Sequence, residues 1–233
     1  MKAEGERKAH QIALDYIENS LLDGSLRVGA QLPPERDLAV RLGVSRGAVR
    51  EAIRVLQAQG ILESQPGPGR GTRTTAGQTK ALGRLFRLHL ALASTSLSDL
   101  TETRIALERS TAALAARHWE PATLRSMERM LLAMDDTTDL DAFNALDTDF
   151  HVEIAVAARN PFIGNLTAAI REALRDPIRV ASEAMTDWQK LRLDLCRQHH
   201  QIYDAIAARQ PELAASVMED HIRTAYTVLR LDS

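Results

Sequence analysis

Leu38-Ala-Val-Arg-Leu-Gly43-Val-Ser-Arg-Gly-Ala-Val49 carries the spacing of two short helices that cross at a tight turn. Ala39 is small enough for the helices to cross closely, Gly43 permits the turn between them, and Val49 fills the angle. Beyond Ser45, a favoured N-cap residue, Val49, Ala52, Ile53 and Leu56 recur at i, i+3, i+4 and i+7 as a stripe for burial. Working outward, the sequence predicts a first helix over about 6–22, a turn through Asp23–Gly29, a second helix from Pro34, and a third ending at Gly60. Two short extended runs, Ile61–Ser64 and Thr72–Thr75, flank QPGPGRG. Three helices followed by a hairpin make a winged helix-turn-helix, expected to span residues 1–75.

Arg46, Arg50, Arg54 and Gln57 gather beside the buried stripe of the third helix, within about 80° at ~100° per residue. Such a face enters the major groove of double-stranded DNA, with Arg46 at the N-terminal end, where guanine edges are read. Gly47 costs roughly 1 kcal/mol of helix stability relative to Ala, and in exchange lets the backbone approach DNA. Gly69, Arg70 and Gly71 form the bare, basic tip that a wing lays against phosphates or the minor groove, and Arg36 and Arg73 add positive charge nearby. The alternative is a solvated basic face on an ordinary helix; the turn spacing and the Gly-rich hairpin weigh against it.

Composition agrees. Residues 1–80 carry 12 Lys/Arg against 9 Asp/Glu, and the remainder 17 against 22, so a basic third precedes an acidic remainder. The 233 residues, 26% charged and 45% apolar, suit a globular protein of one large or two modest domains. An aromatic content of 4% with abundant Ala, Leu and Arg favours helices. The single cysteine, Cys196, excludes an intrachain disulfide and a Cys-rich zinc site. The charged N-terminus is unlike a signal peptide, and Leu82–Ala93, the most apolar run, is broken by Arg84, Arg87 and His89. A cytoplasmic protein without a membrane segment is expected.

Residues 76–80 read as a linker, and residues 81–233 as an all-α bundle of about seven helices, near 81–93, 97–118, 122–135, 139–158, 162–176, 187–209 and 212–230. Pro121, Pro161, Pro177 and Pro211 stand at their ends. Asp147 and His151, at i, i+4, lie within the apolar stripe of Leu140, Phe143, Ile154 and Ala158. His199 borders the stripe of Leu191, Leu195, Ile202 and Ile206, while His200 points away; His221 is enclosed by Ala214, Val217, Ala225 and Val228. One carboxylate and three imidazoles directed inward suit a divalent transition metal, zinc ahead of nickel, manganese or iron. Ordinary core histidines are the alternative. His10, His89 and His118 show no partner, and Trp119 and Trp188 read as packing residues.

The stretch LPPERDLAVRLGVSRGAVREAIRVLQAQGILE followed by GRGT resembles the DNA-binding domain of GntR-type bacterial transcription regulators, and residues 81–233 resemble the FadR-type C-terminal (FCD) domain of the metal-binding kind. The first resemblance implies that Arg36, Arg46 and Arg50, with Ser45 and Gly47 beside them, meet DNA, and that Gly69 or Gly71 approaches the minor groove. The second implies metal ligands at Asp147, His151, His199 and His221; many relatives carry Glu where this chain has Gln198. It also implies an effector-facing Arg104, whose alternative reading is an i, i+4 ion pair with Glu108. The expected function is a homodimeric regulator on a pseudo-palindromic operator, a repressor released by a small organic acid whose carboxylate binds the metal. Two other readings compete. One is a metal-dependent hydrolase-type enzyme, for which no spare general base is visible; the other is a DNA-binding regulator with a purely structural metal.

Overall fold

A computed structural model describes residues 2–64, 71–75, 79–92 and 97–229. The chain folds as two compact units, Met1–Leu82 and Gly83–Ser233. Among the described residues no helix is long and apolar enough to cross a membrane.

The first unit holds α1 (Lys2–Leu22), α2 (Glu35–Leu42) and α3 (Arg46–Ala58), then β1 (Leu62–Ser64) and β2 (Thr72–Thr74). Gly43 closes α2 in the left-handed region, φ 65°, its N–H donating to Val40 O at 3.4 Å and the Val44 N–H to Ala39 O at 3.1 Å. Two residues later the Ser45 hydroxyl accepts the Ala48 N–H and starts α3. That short connection forces α2 and α3 together. Leu38, Ala39, Val49, Ala52, Ile53 and Leu56 are buried with Ala13 and Ile17 of α1, so the stripe read from the sequence is the core.

The hairpin pairs Leu62 with Thr74, Glu63 with Arg73 and Ser64 with Thr72. It also has a third rail. Leu32 N–H donates to Thr72 O at 2.8 Å, Thr74 N–H to Ala30 O at 2.9 Å and Gly29 N–H to Thr74 O at 3.1 Å. The segment before α2, read as loop, therefore satisfies the outer edge of β2.

Helix α4 (Thr79–Leu92) begins in the last residues of the first unit, and the second unit holds the rest of it with α5 (Leu97–His118), α6 (Pro121–Asp136), α7 (Leu140–Ala157), α8 (Pro161–Glu183), α9 (Trp188–Ala207) and α10 (Pro211–Leu229). Asp139, Asn160 and Asp187 cap α7, α8 and α9 through their side chains. Helix α5 packs along α10, α7 lies between α6 and α8, and α9 joins α6 to α10. The shared core includes Met127, Phe143, Phe150, Leu174, Ile202, Met218 and Tyr226.

Three expectations are corrected. Helix α8 does not stop at residue 176 but runs through Pro177 to Glu183. Proline removes one donor from the helix, but Ile178 and Ala181 pack on the core and Ser182 is buried beyond it. Tertiary burial outweighs the local penalty. Helix α4 begins at Thr79, inside the stretch read as linker, of which residues 76–78 lie outside the described ones. On α10, Val228 is 43% exposed; Ala214 is buried as expected, and Met218, Ile222 and Tyr226 complete the buried stripe around His221.

Gly83 marks the tightest approach in this unit. A Cβ there would lie 2.8 Å from Glu172 Cγ, 2.9 Å from Glu172 Cβ and 3.1 Å from the carbonyl oxygen of Ala169. The α4 backbone thus rests directly on α8. Gly83→Ala gains about 1 kcal/mol of helix propensity but forces α4 and α8 apart, an overpacking cost of typically 1–3 kcal/mol. The expected net result is destabilisation, read as a lower urea midpoint; a midpoint equal to or above that of the unsubstituted protein would show that the two helices separate freely.

Candidate DNA-reading face and candidate metal centre

On the first unit, Arg36, Ser45, Arg46, Gly47 and Arg50 are all exposed. The arginines are not equivalent. Arg50 is bound by Glu35 on α2, with Nη2 2.9 Å from Oε2, and that carboxylate raises its pKa through hydrogen bonding and charge. Arg36 donates to its neighbour Asp37 at 3.2 Å, and Arg54 lies 3.5 Å from Glu51. Arg46 makes no ion pair among the described residues. Gln57 turns away from the arginine face and donates to Ser64 Oγ at 2.6 Å, tying α3 to β1. Gly47 has no internal reason to be glycine, since a Cβ there would meet only Ser45 Oγ, at 3.8 Å.

Gly69 and Arg70 lie outside the described residues. Gly71 has φ +58°, in the left-handed region that favours glycine; a Cβ on it would come 2.7 Å from Gln31 Nε2, the movable end of a side chain. Arg73 donates to Gly29 O and Gln31 Oε1, each at 3.2 Å. It pins the hairpin to the segment before α2, a structural duty its sequence position did not reveal.

In the second unit α7, α9 and α10 bring Asp147, His151, His199 and His221 together, with one donor atom of each within 4.8 Å of the others. The three imidazoles are buried. His199 and His221 ring centres are 4.5 Å apart, His151 and His221 5.1 Å. His199 Nε2 lies 3.0 Å from Asp147 Oδ1, and His151 Nε2 lies 3.7 Å from the same oxygen. His200 is directed outward, 2.9 Å from Asp135.

Arg171, which pattern reading missed, and Glu108, expected only as a partner for Arg104, organise this cluster. Arg171 on α8 donates from Nη1 to Asp147 Oδ2 at 2.8 Å, and from Nε and Nη2 to the two oxygens of Glu108 at 3.0 and 2.9 Å. Glu108, on α5, is 1% exposed. It also receives Arg104 Nε at 2.5 Å and lies 2.6 Å from His151 Nδ1, a contact not aligned as a regular hydrogen bond. Arg104 therefore makes the Glu108 pair that was its alternative reading, but makes it buried, with Nη1 donating to Tyr226 at 3.3 Å. It also lines a cavity of about 30 Å³ whose walls include Asp147, His221, Tyr226 and Trp188. Trp188 packs edge-on to Phe143, and its indole N–H has no partner among the described residues. A signal for Arg171 was present: it falls inside the buried run Thr167, Ile170 and Leu174, where a charge demands partners.

Electrostatics hold His151 and His221 neutral and the two carboxylates ionised. Burial, helped by Arg171 and opposed by Glu108, pushes His151 down to about 4. Burial, then His199 and His151, keeps His221 well below its usual value. Burial alone would raise Asp147 and Glu108. Arg171 and His199 outweigh it for Asp147, and Arg104, Arg171 and His151 do so for Glu108, leaving both well below the carboxylate range.

This donor set fits a metal. His151 Nε2 and the nitrogens of His199 are buried without an aligned hydrogen-bond partner, and a cation taking one ring lone pair from each would relieve part of that cost. His221 Nδ1 donates to Gln198 Oε1 at 3.1 Å, which leaves Nε2 free. Opposite ligands of an ion with ~2.1 Å bonds stand about 4.2 Å apart, close to the observed spread. The four residues form a group able to hold a metal ion.

Comparison with known proteins gives the frame for both sites. Residues 9–73 match bacterial regulatory proteins of the gntR family, and residues 99–224 match the FCD domain. The chain is 31% identical over 238 residues to the Glc operon transcriptional activator of Escherichia coli (strain K12), covering 96% of this chain and 89% of that one. It is 28% identical over 212 residues to the HTH-type transcriptional regulator LutR of Bacillus subtilis (strain 168), covering 89% and 94%. Among solved structures, Streptococcus agalactiae GntR aligns with a TM-score of 0.66 at 26% identity, over 92% of this chain and 98% of that one. These relatives are regulators rather than enzymes, and the two matched parts span most of the chain. The chain belongs to the GntR family of bacterial regulatory proteins and is a DNA-binding transcription regulator whose second domain is an FCD domain.

Proposed function

We propose that this regulator is a cytoplasmic homodimeric repressor, that it leaves a pseudo-palindromic operator when a small organic acid binds its FCD domain, and that the acid is held at a divalent transition metal carried by Asp147, His151, His199 and His221. Residues 1–75 would read DNA and residues 81–233 would sense the acid. The observation that carries this reading is that Arg104 shares a cavity wall with Asp147 and His221. When bound, the metal would supply Lewis-acidic positions for a carboxylate. The protein residues favour an anion for a separate reason. Arg104 and Arg171 balance Glu108 and Asp147 in charge, so a bound cation leaves an excess of positive charge in a dry core. Trp188 adds an unused donor on the same wall.

On the DNA side, Arg46 is the reader of base edges. It is exposed at the first residue of α3, and no carboxylate among the described residues competes for it. Arg50, held by Glu35, is oriented toward one arrangement before DNA arrives. Gly47 supports close backbone approach, because nothing inside the protein needs it to be glycine.

Three measurements check these roles. Arg46→Ala is expected to cost ~1–3 kcal/mol on the operator and to relax base preference; equal losses on operator and random DNA in anisotropy titrations would remove the base-reading role. His199→Ala is expected to lose bound metal in elemental analysis while His200→Ala keeps it, since only His199 faces the cluster; the reverse pattern would refute the ligand assignment. For the effector, calorimetric titration of small hydroxy- and keto-acids compares metal-loaded protein, chelator-treated protein and Arg104→Ala. Metal removal is expected to weaken binding more than Arg104→Ala, and unchanged affinity in metal-free protein would leave any ion a structural role.

A further inference from the structure

Glu108 offers nothing to the cavity and is not among the four grouped donors, yet both of its oxygens are fully engaged in the core. Its Oε1 takes Arg104 Nε at 2.5 Å and Arg171 Nε at 3.0 Å, while its Oε2 takes Arg171 Nη2 at 2.9 Å and stands 2.6 Å from His151 Nδ1. We propose that Glu108 is a positioning residue that couples Arg104 to His151, so that this chain's affinity for a metal depends on Arg104 although Arg104 has no donor to give one. The inference rests on the metal reading above and deepens it.

A carboxylate is a rigid planar unit, so the two oxygens cannot move independently. An anion oxygen 2.6 Å from Nδ1 is tolerable only if that nitrogen carries the ring proton, which leaves the lone pair on Nε2, the nitrogen 3.7 Å from Asp147 Oδ1. Glu108 therefore favours the tautomer in which His151 can act as a ligand. Arg104 holds the opposite edge of the same carboxylate. Any ligand that draws Arg104 toward the cavity pulls on Oε1, turns Oε2 and changes the support beneath His151. Arg171 gives the pivot, since it grips both oxygens of Glu108 and also Asp147 Oδ2. The other supported imidazole differs. His221 rests on the neutral Gln198 amide, and among the described residues no hydrogen bond joins Gln198 to Arg104.

The test titrates Zn²⁺ alone, without any organic acid, into full-length chelator-treated protein. The variants are Glu108→Gln and Arg104→Lys, with Arg117→Ala, an exposed residue paired with Glu212, as the control. Arg104→Lys keeps the charge balance of the core but lacks the planar fork, so it reports on coupling even if Glu108→Gln does not fold. Glu108→Gln is expected to weaken Zn²⁺ binding about 10–100-fold, and Arg104→Lys severalfold, with the control unchanged. Both variants, saturated with Co²⁺, are expected to show shifted visible bands. A residue that merely stabilised the fold would lower the melting temperature and leave those bands in place. Wild-type Zn²⁺ affinity and unshifted bands in Arg104→Lys would overturn the coupling while leaving the metal site intact. Failure of the unsubstituted protein to bind Zn²⁺ or Co²⁺ would overturn the metal reading itself, and the coupling with it.

Discussion

Arg104, Glu108, Asp147 and Arg171 bring four formal charges into the middle of a helical bundle, on three different helices, α5, α7 and α8. Moving an ion out of water costs several kcal/mol even after relaxation, and only close, directional partners repay it. These helices consequently have one register in which every charge is matched. Sliding α8 by one turn would strand Arg171 and take a guanidinium partner from each carboxylate. The positions of His151, His199 and His221 follow from that register, because α9 and α10 pack against the helices it fixes.

The same cluster explains why the site can hold neutral His151 and His221 beside ionised carboxylates. Two guanidinium groups supply the positive charge that the acids need, so these two histidines are not called upon to protonate. A group of lone pairs is thereby kept available in a core that otherwise excludes polar atoms. Buried charge is a poor source of net stability, and its retention in this core is accounted for by the site that it organises.

The DNA-binding unit solves a different problem with surface charge. Its hydrophobic core is small and assembled from three helices, and the exposed arginines beside it are sorted by acidic neighbours. Glu35 and Asp37 engage Arg50 and Arg36 before any partner arrives. The hairpin is steadied by the segment before α2, through the ladder to Ala30 and Leu32 and the Arg73 contacts.

Much of this was written in local pattern. The turn at Gly43, the cap at Ser45 and the α3 stripe depend on residues only a few positions apart, so backbone geometry and periodicity suffice to read them. The inward set of Asp147, His151, His199 and His221 was legible for the same reason, each being polar within an apolar stripe. The sequence by itself thus determined the winged helix-turn-helix, the all-α second domain and the candidate ligands. Tertiary structure decided what joins them. Glu108 and Arg171 are 63 residues apart, and no spacing rule links such a pair. Pro177 looked like a helix end because its lost hydrogen bond is local, whereas the burial of Ser182 that carries α8 onward is not. Arg104 could be read as the partner of Glu108 or as a pocket residue, and the packed interior makes it both, since desolvation is a property of that interior and not of the chain.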